Sequence, residues 1–96
     1  MRLEWSIDSR ADRARIIEYI SQDSLAAALA VDERIDAIDR QLRQFPMSGR
    51  RGKVRGTREL VIPRTSYIAI YRVRDDQVFI LRIMHGAQRW PPRREP

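Results

Sequence analysis

The apolar period of this chain changes once, at Pro46. Before that proline, Ala28, Val31, Ile35, Ile38, Leu42 and Phe45 recur in steps of three and four, the spacing of one face of an α-helix. After it the pattern alternates. Tyr67, Ala69, Tyr71 and Val73 fall on one face and Ile68, Ile70 and Arg72 on the other, as they would on a strand. A 96-residue chain that switches in this way is expected to be one domain, with helices first and most of the sheet after.

The remaining elements follow from local signals. Residues 2–7 alternate, with Leu3, Trp5 and Ile7 on one face, and predict a short strand. Asp8 or Ser9 is the expected cap of a helix reaching about Ile20, with Ala14, Ile17 and Ile20 on its stripe. Asp23 or Ser24 starts the long second helix, which Pro46 ends near Phe45. Strands are predicted over 57–62, stopped by Pro63, and over 67–73 and 77–84, with Asp75-Asp76 as the turn between the last two. The last run is nearly all apolar, with Arg82 as its single charge. The order β-α-α-β-β-β predicts an α+β fold, a helical hairpin packed on one face of an antiparallel sheet with the other face free to bind.

Charge divides at the same proline. Residues 1–45 hold seven Lys/Arg and nine Asp/Glu, a balance of −2, and residues 46–96 hold twelve and four, a balance of +8. The second half therefore suits a polyanion, either nucleic acid or an acidic protein segment; a solvated basic surface is the plainer alternative. Eighteen of the nineteen basic residues are Arg, whose fork suits bidentate contacts to phosphate or carboxylate. With no cysteine and one histidine, neither a disulfide framework nor a thiolate or multi-His metal centre is available. No apolar run approaches the roughly 20 residues of a membrane span. MRLEWSIDSR lacks the apolar stretch of a signal peptide, so a cytoplasmic location is expected. Residues 91–96 read as an exposed tail.

Gly49-Arg50, GTRELVI at 56–62, YIAIYRV at 67–73 and ILRIMHGAQRWP at 80–91 together resemble the RelE/ParE superfamily of toxins from bacterial type II toxin–antitoxin modules. The resemblance covers almost the whole chain. It implies a four-stranded antiparallel sheet on two helices, a growth-inhibiting activity without a cofactor or metal, and a cognate antitoxin that wraps the toxin and neutralises it. RelE-like members cut ribosome-bound mRNA with lysines on one strand, an arginine on the next, and an arginine and a tyrosine near the C-terminus. Such a set removes a proton from the 2′-hydroxyl, supports the charged phosphate and protonates the leaving oxygen. At the matching positions this chain has Glu59 and Val61, Ile68 and Gln88. Those residues bring it closer to the ParE branch, which acts by poisoning DNA gyrase.

Two sets of site residues follow. If the chain is a nuclease after all, Arg82, His85 and Arg89 are the catalytic candidates. His85 has the side chain that titrates nearest neutrality, although a strand-end histidine more often bonds the backbone. For holding the target or the antitoxin, the candidates are Arg50, Arg51, Lys53 and Arg55 in the glycine-rich loop, Arg58 and Arg72 on strands, and Gln88 and Trp90 near the end. Tyr67 and Tyr71 read as core. Glu18, Asp32, Glu33, Asp36 and Asp39 read as solvated helix surface.

Overall fold

Ser6, rather than Asp8 or Ser9, caps the first helix. Its backbone is extended (φ −67°, ψ 163°), and its Oγ accepts the Ser9 N–H at 3.0 Å, the hydrogen bond that defines an N-cap. The same residue is tied to the last strand: its N–H donates to the Ile80 carbonyl at 2.9 Å and its Oγ to the Leu81 carbonyl at 2.8 Å. The first strand therefore stops at Trp5, and Ile7, expected on the strand, lies in the first helical turn, 85% exposed.

The structure, a computed structural model, describes residues 1–88 and 90–91. Its elements are β1 (Arg2–Trp5), α1 (Ile7–Ser21), α2 (Leu25–Gln44), β2 (Arg50–Arg51), β3 (Arg58–Val61), β4 (Tyr67–Arg74) and β5 (Gln77–His85). Ser24 caps α2, accepting the Ala27 N–H on its Oγ at 3.1 Å. Phe45 leaves the helix (φ −129°, ψ 75°), as a residue before proline must. Its ring is consequently exposed, and the buried stripe of α2 ends at Leu42.

The α+β arrangement is as expected, but the sheet has five strands in the order β1-β5-β4-β3-β2 and is mixed. The extra strand is the short β2, where the glycine-rich segment folds back so that Arg50 faces Glu59 and Arg51 faces Arg58. β1 runs parallel to β5, with Leu3 beside Val78 and Trp5 beside Ile80. A parallel pair needs a long crossover, and here everything between the two strands supplies it. Asp75 and Asp76 both take positive φ (51° and 60°), the type I′ geometry that joins β4 to β5 in step with strand twist.

One irregularity matters for the site. Tyr71 pairs with Ile80 and Ile70 with Arg82, leaving Leu81 as the extra residue of a bulge. Val31, Ile35, Ile38 and Leu42 of α2 pack on Ala69, Tyr71, Val78, Ile80 and Ile83 of the sheet, with Ile62 beside them. Alternation places Ile68, Ile70 and Arg72 on the opposite face. Residues 92–96, most of the expected tail, lie outside the described residues.

Candidate functional site

The basic residues of the second half do not converge on one place. Most of them fall in three places: one organised by a carboxylate, one by a tyrosine and a carboxylate, and a groove whose arginines have no ion-pair partner among the described residues.

At the bulge, Asp12 of α1 is 4% exposed and is the hub. β1 pairs with β5 only over Gln77–Ile80, so the far half of that β5 edge has no strand beside it, and α1 takes its place. Asp12 Oδ2 accepts the Ile83 N–H at 3.0 Å and Arg82 Nε at 2.7 Å. Its Oδ1 accepts Arg82 Nη2 at 3.0 Å and Arg15 Nη2 at 2.5 Å. The hydrogen bonds to Asp12 raise the Arg82 pKa and outweigh its burial. A cavity of about 280 Å³ opens beside this cluster, bordered by Arg15, Tyr67, His85 and Gln88. His85 ends β5 with its Nδ1 accepting the Ala87 N–H at 3.1 Å and its own N–H donating to Gln88 Oε1 at 2.7 Å.

At the β2–β3 end, Tyr71 is fully buried and holds the chain after α2. Its hydroxyl donates to the Pro46 carbonyl at 2.7 Å and accepts the Gly49 N–H at 2.9 Å. Burial pushes the phenol pKa up, opposed by the Gly49 N–H and the Arg58 charge. A Cβ on Gly49 would lie 2.6 Å from that hydroxyl and 2.8 Å from the Glu59 carbonyl, so no other residue fits there without a shift. Arg58 donates to the Gly49 carbonyl at 2.8 Å. Glu59, 4% exposed, accepts from Arg50 Nη2 at 3.1 Å and from the Lys53 N–H at 3.2 Å. Arg51 and Arg55 border a separate hollow with Arg58.

On the face away from α2 lies a larger groove of about 560 Å³. Ile7, Phe79 and Leu81 give it an apolar floor, and Arg10, Arg72 and Arg74 line it. None of these three guanidinium groups has an ion-pair partner among the described residues. Glu4, the one carboxylate there, accepts from Gln77 at 3.3 Å.

The family model described as "ParE toxin of type II toxin-antitoxin system, parDE" matches residues 3–90. The chain belongs to the ParE toxin family. It is 39% identical over 90 residues to the protein named "Putative toxin Y4kP" of Sinorhizobium fredii (strain NBRC 101917 / NGR234), covering 94% of this chain and 93% of that protein. A solved structure described as "Chromosomal ParDE TA system from P. aeruginosa" superposes with a TM-score of 0.79 at 30% identity, over 88% of this chain and 95% of that one. The protein is thus a type II toxin of the ParE kind, and an antitoxin is its partner. Among the described residues no helix is long and apolar enough to cross a membrane.

Within this ParE fold the nuclease candidates fall as follows. Arg82 is engaged with Asp12, His85 has one ring nitrogen committed to the backbone, and Arg89 lies outside the described residues. Gln88 borders the cavity at the bulge. Trp90 is part-buried, and its indole nitrogen has no hydrogen-bond partner among the described residues.

Asp32 and Asp36, read as solvated, clamp Arg13 at 2.8 Å each, and the Arg13 guanidinium lies 5.3 Å over the Trp5 ring. Burial alone would lower the Arg13 pKa, but its bonds to Asp36 and Asp32 raise it. Asp39 accepts the Trp5 indole N–H at 2.8 Å and Arg43 Nε at 2.6 Å. For Asp12 a signal existed: Ser9, Asp12 and Ile16 are spaced three and four apart, which sets the acid on the inward stripe of α1.

Proposed function

We propose that this ParE toxin arrests growth by binding DNA gyrase and poisoning it, and that it cuts no RNA. The observation that supports this reading is the state of the groups a phosphodiester cleavage would need. Metal-free cleavage of the RelE kind draws its base, its acid and its unengaged positive charge from the strand positions of that pattern, within reach of one phosphate. Glu59 is occupied by Arg50 and the Lys53 N–H, Val61 and Ile68 have no chemistry to offer, and Arg82 is held by Asp12. His85 would have to give up its bond from Ala87 to act through Nδ1.

For the antitoxin we assign the groove lined by Arg10, Arg72 and Arg74. An extended segment carrying acidic and apolar side chains would complement its unpaired charge and its apolar floor. Arg51 of β2 and Arg55 of the following loop, which stay exposed, then remain for the target.

The test pairs two readouts on the same toxin. Purified toxin is incubated with gyrase and plasmid DNA to trap cleavage complexes, and mRNA 5′ ends are mapped on translating ribosomes. Accumulated gyrase–DNA complexes with intact mRNA are expected. Codon-phased mRNA cuts that vanish in His85→Ala would overturn the proposal in favour of a ribosome-dependent nuclease.

A further inference from the structure

The reading above makes no use of the cavity between α1 and the end of β5. We propose that this cavity is a binding site for a phosphate group. The reasoning begins with its carboxylate. A carboxylate has about four lone-pair sites. Asp12 spends them on Arg15 Nη2, Arg82 Nη2, Arg82 Nε and the Ile83 N–H. Asp12 therefore has no capacity to accept from a ligand, and what remains around the cavity is donors.

Those donors are specific. Arg15 uses one amino group on Asp12 while its side chain is 66% exposed, so its other N–H groups are available. His85 Nδ1 accepts the Ala87 N–H, which puts the ring proton on Nε2 and makes that atom a donor in either charge state. Gln88 gives its Oε1 to the His85 N–H, leaving its amide nitrogen. The Tyr67 hydroxyl has no hydrogen-bond partner among the described residues. Two guanidinium groups face one carboxylate, so the lining carries net positive charge before His85 is counted.

The arrangement is also rigid. Tyr67 packs edge-on against the His85 ring, centroids 5.5 Å apart at 83°, and Asp12 fixes α1 to the backbone of β5. At about 280 Å³ the cavity is far larger than one water needs. Convergent, preorganised donors around a net positive pocket suit a compact anion with several acceptor oxygens. A phosphate of a nucleic-acid backbone and free inorganic phosphate share that chemistry.

The experiment is an NMR titration of the isotope-labelled full chain with inorganic phosphate, at constant pH and ionic strength, following the His85 ring and the Arg15 Nε–H signals. Saturable shifts at both are expected, with Arg15→Gln weakening the affinity about tenfold, the worth of one charge-assisted hydrogen bond. Arg15 is largely exposed, so this variant keeps its fold. A second arm uses a short single-stranded deoxyoligonucleotide. If it moves the same signals at lower concentration than phosphate does, the backbone of a nucleic acid is the source; if only phosphate moves them, the source is the free anion. Either result upholds the site. Shifts that never saturate and are matched by chloride would overturn it, as would an unchanged affinity in Arg15→Gln.

Discussion

Asp12 shows how one side chain can substitute for a missing strand. It accepts an edge N–H of β5 and binds two arginines while almost wholly buried. Removing it leaves Arg82, itself three-quarters buried, and a backbone donor without partners, a loss of about 3–5 kcal/mol for a broken buried pair. Arg15 is mostly solvated, and its contact with the same carboxylate should contribute under about 1 kcal/mol. Urea unfolding of Asp12→Ala and Arg15→Gln, compared at equal m-value, is expected to show that separation. Comparable losses in the two variants would mean that Asp12 does not carry the edge. The role was half legible in the sequence. Spacing set Asp12 on the inward stripe of α1, but nothing local could say that the bulge at Leu81 would bring Arg82 and the Ile83 N–H to meet it.

At the scale of elements the sequence was most reliable where a period ran long. The stripe Ala28–Val31–Ile35–Ile38–Leu42 became the buried face of α2, and the alternation of β4 put Ala69 and Tyr71 on the core side. It was least reliable where a contact joins distant elements: β2 pairs Arg50 with Glu59 across a turn, and β1 runs parallel beside the start of β5, at Gln77–Ile80. The Trp5–Asp39 hydrogen bond that joins β1 to α2 was invisible for the same reason, and it makes α2 sensitive to acid. Burial raises the Asp39 pKa, but hydrogen bonds from Arg43 and Trp5 prevail and hold it below its ordinary value of 3.8. A depressed pKa in the folded state gives stability that is fully present above the unfolded value and lost as pH falls through the folded one. Asp39→Asn should therefore be less stable than the wild type at pH 7, measured by chemical unfolding. The gap should begin to close as pH falls below about 4, where the unfolded carboxyl takes up its proton, and be lost as pH falls through the lower value of folded Asp39. A gap that stays constant down to pH 2 would show that Asp39 acts by packing and not by charge.

Over the whole molecule, the +8 half and the −2 half do not become a basic face and an acidic face. Three of the basic residues are engaged within the chain: Arg82 with Asp12, Arg50 with Glu59 and Arg58 with the Gly49 carbonyl. What survives as an outward field is local, and the groove with Arg10, Arg72 and Arg74 carries much of it beside the apolar Phe79 and Leu81. Such a patch acts first on encounter. Long-range attraction raises the association rate of an oppositely charged partner and is screened over roughly 8–10 Å at physiological salt. Contacts on the apolar floor set the dissociation rate instead. Reversing two charges, as in the double variant Arg72→Glu and Arg74→Glu, should therefore slow association with the antitoxin by about tenfold or more at low salt. It should also flatten the dependence of that rate on ionic strength, while Phe79→Ala should act mainly by speeding release. Stopped-flow binding across a salt series separates the two effects. Should the double variant associate at the wild-type rate with the wild-type salt dependence, the antitoxin must engage another surface, and the unpaired arginines of the groove would serve a different partner.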